Sequence, residues 1–244
     1  MINLLMRKLL LFFVLVFFVS LSIAQTNADS TKLKSDLGFD FVSRYLWRGM
    51  MVNTSPNLQP YLGFEYKGIS IGAWGSYATD GQFAEVDLYL SYAYDQFTFT
   101  INDYYTEDEN DFGRFDNFNY KNNVTNHALE LMVDYDFGEK LPLTLTAATI
   151  FYGNDKKTNG DNYFSTWLQA NYTLKLNEYN LDVFLGGTPA KSIYNTQEGN
   201  MAEIGVKLSR IIDLSDKFSM PMSVALVTNP ADENIFMVLS LGVK

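Results

Sequence analysis

The feature that most constrains this chain is a two-residue alternation of side-chain character that recurs in twelve segments. In "LQPYLGFEY", Leu58, Leu62 and Phe64 fall on one side, whereas Gln59 and Glu65 fall on the other. Successive side chains of a β-strand point to opposite faces, so this period is typical of strands. No segment carries a sustained helical repeat. The sequence therefore predicts an all-β protein of about 12 strands.

The connections between these segments alternate in length. Short connections are predicted at 67–68, 95–96, 138–140, 177–178 and 213–216, and longer polar ones at 50–57, 79–83, 106–126, 152–162, 188–200 and 229–233. Short turns on one side, longer loops on the other and an even strand number are typical of an outer-membrane barrel. The pattern predicts a membrane-spanning antiparallel up-and-down β-barrel with both termini in the periplasm.

The apolar face of each segment is unusually rich in large side chains. The first segment, 35–50, places Leu37, Phe39, Phe41, Tyr45 and Trp47 on one face and Asp36, Asp40, Arg44 and Arg48 on the other. We expect the aromatic and aliphatic face to contact lipid, with Tyr and Trp at strand ends forming interfacial girdles, and the charged face to line a polar lumen. A soluble β-sandwich would bury the aromatic face and leave the alternating loop lengths unexplained.

The N-terminus resembles an export signal. "MRKLLLFFVLVFFVSLSIAQ" has a basic start, a short apolar core and small residues before Gln25, which predicts cleavage after Ala24. The alternative is a retained membrane helix, but the apolar core is shorter than the roughly 20 residues that a spanning helix needs. The predicted organisation is a signal peptide at 1–24, a periplasmic leader at 25–34 and a barrel at 35–244.

Composition excludes several classes of function. Removing Arg7 and Lys8 with the signal peptide lowers the basic count from 18 to 16 against 28 acidic residues, a net charge of −12. Nucleic acid is therefore not an expected partner, because phosphate binding needs a basic surface. The chain has no cysteine, which excludes disulfides and thiolate metal sites, and no cofactor is predicted.

Four ordered blocks carry a family resemblance. "SRYLWRG", with Ser43, Tyr45, Arg48 and Gly49, resembles the S-x-Y-x-x-R-G signature of TorF-type porins. The blocks "PNLQPYLGFEY", "GISIGAWGSY" and "AEVDLYLSYAY" are similar to the strands that follow in that family, so the resemblance covers about residues 36–95. It implies an outer-membrane β-barrel that acts as a porin.

The alternation selects a set of candidate pore-lining residues of mixed charge. They are Asp40, Arg44, Arg48, Glu65, Glu85, Asp87, Glu130, Asp134, Asp182, Glu203 and Lys207. These side chains either line a pore and set its charge preference or pair into networks that fill the lumen. Eight strands leave room only for side chains and about 16–18 leave an open channel, so twelve strands predict at most a narrow conduit.

The longest loop combines acidic and aromatic residues. We expect Asp108, Asp111, Phe112, Phe115 and Phe118 either to constrict the pore or to contact a partner outside the cell. The acidic residues of this loop could ligate calcium, but no EF-hand spacing is present and no metal site is predicted.

The predicted function is passive passage of small polar solutes or ions through the outer membrane. The alternative is a non-conducting structural or adhesive barrel that binds a partner through its extracellular loops. A lipid hydrolase is a third possibility and would need His127, the single histidine, which stands in no catalytic motif, so no enzyme is predicted. Outer-membrane lipid and, during biogenesis, the barrel-assembly machinery are the other expected partners.

Overall fold

The alternating segments become strands in the computed structural model, which describes residues 32–107, 116–195, 197–216 and 218–244. The predicted signal peptide and most of the predicted leader lie outside the described residues. The strands are β1 (Lys34–Val42), β2 (Tyr45–Trp47), β3 (Met50–Asn53), β4 (Asn57–Tyr66), β5 (Ile69–Ala78), β6 (Ala84–Tyr94), β7 (Phe97–Glu107), β8 (His127–Asp136), β9 (Leu143–Gly153), β10 (Thr166–Leu176), β11 (Tyr179–Thr188), β12 (Asn200–Ser215), β13 (Phe218–Asn229) and β14 (Asn234–Val243).

Twelve of these strands close into an antiparallel barrel, which confirms the predicted architecture. β4 to β14 each pair with their neighbours in the chain, and β1 closes the barrel by pairing with β14 and with β4. Phe39, for example, lies opposite Val243 on one side and opposite Pro60 on the other. Because the number of barrel strands is even, β1 begins and β14 ends at the same end of the barrel.

The short turns lie at that same end. Lys67 and Gly68 join β4 to β5 with φ angles of 51° and 79°, and positive φ at both central residues is the mark of a type I′ hairpin turn. The predicted turn at 213–216 is displaced in the structure, because β12 continues to Ser215 and pairs there with Phe218. The other end of the barrel carries the longer connections.

The outer surface of the barrel is apolar. Large side chains that point outward stay exposed on every wall strand; they include Leu37, Phe41, Leu62, Ile71, Leu90, Phe99, Leu131, Leu145, Leu168, Leu185, Val206, Leu226 and Met237. Leu37 is 71% exposed. A continuous apolar surface of this kind is unusual for a protein surrounded by water and indicates contact with another apolar phase.

The first predicted strand is too long. β1 ends at Val42, and residues 43–56, here called the lumen hairpin, leave the wall and form the separate two-stranded sheet of β2 and β3. Ser43 ends the wall ladder, because its N–H donates to the Leu239 carbonyl while its Oγ accepts from the Leu239 N–H. The expectation that Tyr45 and Trp47 belong to the lipid-facing girdle is therefore wrong.

Among the described residues, no helix is long and apolar enough to cross a membrane.

Candidate functional site

The tip of the lumen hairpin is a tight two-residue turn. Trp47 pairs with Met50, and between them Arg48 and Gly49 have φ angles of 51° and 74°, which again fits a type I′ turn. A Cβ atom on Gly49 would lie 1.9 Å from the carbonyl oxygen of Ala202, on the inner face of β12. Glycine is therefore required at this position both for the backbone conformation and for the close approach to the wall.

The turn carries Arg48 into a buried ion pair with the opposite wall. The guanidinium Nη1 lies 2.5 Å from Oε1 of Glu130, and Nη2 lies 2.9 Å from Oε2, so the pair is bidentate. The side chain of Arg48 is 9% exposed and that of Glu130 is fully buried. The Tyr104 hydroxyl donates to Oε2 of Glu130 at 2.7 Å, and Arg48 also donates to the Tyr194 hydroxyl.

Aromatic rings surround the guanidinium. The Cζ atom of Arg48 lies 4.8 Å from the centroid of the Trp47 ring, 5.4 Å from that of Tyr194 and 5.8 Å from that of Trp167. Trp47 also contacts Tyr104, with ring centroids 5.5 Å apart. Cations are attracted to ring faces at such distances, and the attraction strengthens when water is excluded. The rings thus hold the cation while they close off the space around it.

The electrostatics of this cluster keep Arg48 charged. Burial, the largest single influence, lowers the pKa of the guanidinium, but the hydrogen bonds and charge of Glu130 together with the neighbouring Tyr194 and Tyr104 outweigh burial, and the pKa of Arg48 lies above its ordinary value. A buried ion pair contributes little net stability because desolvation offsets the attraction, yet removal of one partner leaves an uncompensated charge. The pair therefore fixes where the hairpin tip sits in the barrel.

Two further side chains bind the backbone of the tip. The Gly49 N–H donates to Oε1 of Glu203 at 3.0 Å, and Nδ2 of Asn229 donates to the Gly49 carbonyl at 3.2 Å. Oδ1 of Asn229 accepts from the N–H groups of Ala231 and Asp232, so the β13–β14 turn orients this amide. Side chains from β8, β12 and β13 therefore bind the tip of the hairpin. Only a segment inside the barrel can contact these three strands together.

A second connection also folds inward. In the connection from β11 to β12, Tyr194 packs against Trp167 with ring centroids 5.2 Å apart and against Trp47 at 5.5 Å. The N–H of Ile193 donates to Ser165 Oγ at 2.9 Å, and that hydroxyl donates to the buried Asp155 at 2.5 Å. The lumen is therefore narrowed at the long-loop end by two segments that share an aromatic cluster.

The candidate pore-lining carboxylates lie on the wall strands. Their positions are Asp40 on β1, Glu65 on β4, Glu85 and Asp87 on β6, Glu130 and Asp134 on β8, Asp182 on β11, and Glu203 with Lys207 on β12. Glu130 and Glu203 contact the tip, and alternation puts Asp134 and Lys207 on the same inner face. Their role in lining a pore remains a prediction.

The placement of both arginines on the first strand is wrong. Arg44 lies between β1 and β2, and Arg48 is the tip of the lumen hairpin. Sequence analysis also missed the partners of the tip, Trp167, Tyr194 and Asn229. The signal that could have located the hairpin is the Arg-Gly pair between two short alternating runs, a turn-compatible dipeptide where a continuous strand was expected.

The inner face near the short-turn end is more open. There Lys207 pairs with Asp182 at 3.1 Å and Lys244 pairs with Asp36 at 3.1 Å. Thr146 donates to Asp134 at 2.5 Å. The lysines are 44% and 51% exposed, which contrasts with Arg48. Both lysines are therefore solvated although Asp182 is mostly buried, whereas Arg48 and Glu130 are both desolvated.

His127 has no free ring nitrogen. Its Nδ1 lies 2.7 Å from Asp103 and its Nε2 lies 3.1 Å from the Asn117 carbonyl. Tyr120 stacks on the imidazole at 4.1 Å and donates to Asp103, and burial with this bond raises the pKa of Tyr120 to about 12. The arrangement fastens the described part of the loop to the barrel through both ring nitrogens.

The acidic aromatic loop is described only in part. Asp108, Asp111, Phe112 and Phe115 lie outside the described residues. Phe118 is 93% exposed, so it packs against nothing in the lumen, and its contact with a partner remains a prediction. Within the described part of the chain, no group of three or more His, Asp or Glu residues could hold a metal ion.

Comparisons with known proteins give only distant likenesses. No family model and no curated protein sequence matches this chain, so membership of the TorF-type porins remains a prediction. The KdgM porin is 10% identical with a TM-score of 0.49, covering 86% of this chain and 97% of that one. The COG4313 outer membrane channel from Pseudomonas putida F1 is 12% identical with a TM-score of 0.41, covering 90% and 98%. These likenesses are too distant to carry an argument, and the barrel assignment rests on its strand pairing.

Proposed function

We propose that this chain is an outer-membrane channel that passes small polar solutes or ions passively, with the lumen hairpin as its constriction. The observation that carries the proposal is the difference in polarity between the outer and inner faces of the barrel. The outer face is apolar on every wall strand, whereas the inner face bears carboxylates on β1, β4, β6, β8, β11 and β12. A closed barrel with an apolar exterior and a polar interior suits passage across a lipid bilayer.

The proposal includes the route to the membrane. The predicted signal peptide at 1–24 would export the chain, and the barrel-assembly machinery would insert it with both termini in the periplasm. Support comes from the common end shared by Lys34, Val243 and the short turns, since short turns are periplasmic in barrels of this class. The lumen hairpin would then narrow the channel near its extracellular end.

The inner charges favour cations. Asp134 and Asp182 lie on the inner face, where their hydrogen-bond partners include Thr146 and Thr173. Rings of carboxylates are a common basis of cation preference in channels. We therefore expect a channel that conducts potassium better than chloride, with small conductance because the hairpin occupies part of the lumen.

The test is single-channel recording of the refolded protein in a planar bilayer under a KCl gradient. We expect small ohmic steps and a cation-selective reversal potential. Asp134→Asn together with Asp182→Asn should move the reversal potential toward zero. Asp95→Asn, at a turn outside the lumen, is the matched control and should leave it unchanged. Silence from folded, monodisperse protein across a range of voltages contradicts the proposal.

A sealed barrel is the second candidate. The observation that favours it is the buried pair of Arg48 and Glu130, which joins the hairpin to the far wall within an aromatic cluster. Such a barrel would act through its extracellular loops, and deletion of residues 107–122 should then abolish partner binding while the barrel stays folded. Conductance by the wild-type protein would exclude this candidate.

A further inference from the structure

An open cavity of about 440 Å³ lies beside the lumen hairpin. Its lining comes from the hairpin itself, from β4, β5, β6 and β7 on one side, and from β12, β13 and β14 on the other. Small-molecule sites commonly enclose about 300–1,000 Å³ and combine an apolar lining with a few polar groups. The chemistry of the lining indicates what such a site would bind.

One side of the cavity is acidic and aromatic. Asp87 lines it together with the rings of Tyr45 and Trp74, whose centroids are 5.5 Å apart. Among the described residues, the single hydrogen bond to Asp87 is the one from the Tyr105 N–H to Oδ1, at 3.3 Å. A carboxylate beside aromatic faces is the usual environment for an organic ammonium group.

A second carboxylate strengthens the negative potential on that side. Glu85 lies two residues before Asp87 on the same inner face and is 8% exposed. Its Oε2 is buried and has no hydrogen-bond partner among the described residues. A buried carboxylate oxygen without a partner is costly, and a cation bound nearby would offset that cost.

The start of the lumen hairpin brings a cation without an ion-pair partner among the described residues to the cavity. Arg44 lines the cavity, is exposed and makes no ion pair with any described residue. It follows Ser43, which is fixed to β14 beside β1. β1 and β6 are three strand spacings apart, about 14 Å along the wall, so Arg44 and Asp87 line separate parts of the cavity.

The remaining lining includes the polar side chains of Gln59, Tyr104 and Glu203 and an aliphatic part. Val42, Ala225, Val227 and Val238 form this part of the wall. It offers no hydrogen-bonding side chain and would accept a hydrocarbon group.

We propose that this cavity binds a small zwitterion of the α-amino-acid class. Asp87 would take the ammonium group, Arg44 the carboxylate, and the valine wall an aliphatic side chain. As a statement about what the channel passes, this inference rests on the proposed function. As a statement about binding, it can be measured without a bilayer.

The experiment is calorimetric titration of the full-length mature barrel in detergent with three matched probes. Leucine carries both charges, 3-methylbutylamine lacks the carboxylate, and 4-methylpentanoate lacks the ammonium group. We expect leucine to bind at least tenfold more tightly than either single-charge probe. Tryptophan fluorescence gives a second readout, because Trp47 and Trp74 both line the cavity.

Two variants assign the charges. Arg44→Gln should reduce leucine affinity about tenfold and leave that of the amine unchanged. Asp87→Asn should do the reverse, reducing leucine and amine affinity while sparing 4-methylpentanoate; asparagine keeps the Oδ1 acceptor for the Tyr105 N–H. Arg210→Gln and Asp95→Asn are matched controls away from the cavity and should bind leucine as the wild type does.

The outcomes separate the two proposals. Leucine binding in detergent without any conductance would leave the zwitterion site standing and remove the channel. Conductance without leucine binding, or equal affinity for all three probes, would overturn the zwitterion site and leave the channel intact. Retained leucine affinity in folded Arg44→Gln and Asp87→Asn, verified by circular dichroism, would also overturn it.

Discussion

Two turns of this protein have the same local design and opposite surroundings. Arg48-Gly49 and Lys67-Gly68 each place a basic residue and a glycine at the centre of a two-residue hairpin, with φ near 51° at the first position and above 70° at the second. Lys67 lies at the short-turn end, with its ammonium 5.1 Å from the Tyr66 ring. Arg48 lies inside the barrel, paired with Glu130. The local sequence determines the backbone conformation of each turn, and the surroundings determine which contacts its basic side chain makes.

The difference between the two turns is one of desolvation. An exposed cation interacts weakly with its neighbours because water screens the charge, so Lys67 can change at little cost. A desolvated cation needs a partner at close range, and loss of either partner is expensive. Substitutions at matched positions of the two turns should therefore have very different effects.

The largest difference is expected between Gly49→Ala and Gly68→Ala. Alanine at either position adopts an unfavourable left-handed conformation, which costs about 1–2 kcal/mol. At position 49 the added Cβ also meets the Ala202 carbonyl at 1.9 Å, whereas at position 68 its nearest neighbour is the Ala93 carbonyl at 3.1 Å. We expect Gly49→Ala to cost about 4 kcal/mol or more in the free energy of unfolding, or to displace the tip.

Urea unfolding in lipid vesicles and bilayer recording together check this prediction. If the tip is displaced, single-channel conductance should rise several-fold in Gly49→Ala and stay unchanged in Gly68→Ala. Equal losses of stability in the two variants, with unchanged conductance, would mean that the tip does not press on β12.

The next effect concerns the ion pair. Arg48→Gln and Glu130→Gln should each lower the free energy of unfolding by about 3 kcal/mol, because each leaves one buried charge unpaired. The double variant should lose much less than the sum of the two. Lys67→Gln, the matched change at the exposed turn, should cost less than about 0.5 kcal/mol. Additive losses in this double-mutant cycle would show that Arg48 and Glu130 do not act as a pair.

A smaller effect is expected at Asn229. Asn229→Ala removes the donor to the Gly49 carbonyl and leaves that buried group unsatisfied, at a cost of about 1–3 kcal/mol. Asn234 lies directly opposite in the β13–β14 pair and is exposed, so Asn234→Ala serves as the control and should be nearly neutral. The urea midpoint of each variant gives the comparison, and equal midpoints would remove Asn229 from the clamp on the tip.

The contrast between the barrel wall and the lumen hairpin also explains which parts of the fold could be predicted from the sequence. Alternation finds the wall strands because every wall strand separates an apolar outer face from a polar inner face, as Leu62 and Glu65 on β4 illustrate. It fails from Ser43 onward, since Tyr45 and Trp47 continue the period of two inside a hairpin that leaves the wall. Over its three residues, β2 has the same alternation of side chains as the end of a ten-residue wall strand, so the sequence pattern does not distinguish the two.

The residues that contact the lumen hairpin could not be predicted from the sequence for a different reason. Glu130 was expected to face the lumen, but its contact with Arg48 joins positions 82 residues apart. Tyr194 lies in a connection that was expected to be an exterior loop, and its ring completes the cluster around the guanidinium. Alternation gives a side chain a face, whereas these contacts depend on how a loop folds across the barrel.

The smallest effect is expected where the lumen hairpin returns to the wall. Ser55 Oγ donates to Asp80, and this bond, with a second from the Gln82 N–H at 3.0 Å, lowers the pKa of Asp80. A carboxyl group whose pKa is lowered by folding stabilises the fold above its ordinary pKa and loses that contribution as the pH falls through the lowered value. Ser55→Ala should therefore raise the pKa of Asp80 toward its ordinary range.

Carboxyl ¹³C NMR of aspartate-labelled protein in detergent measures this shift. Ser35→Ala, at an exposed serine on β1, should leave the pKa of Asp80 unchanged. The effect on global stability should be slight, because the contact is exposed and lies outside the buried clamp on the tip. If Ser55→Ala instead matched Arg48→Gln in its cost, the hairpin would be held at its base rather than at its tip. The contrast between the two basic-glycine turns would then not account for its position.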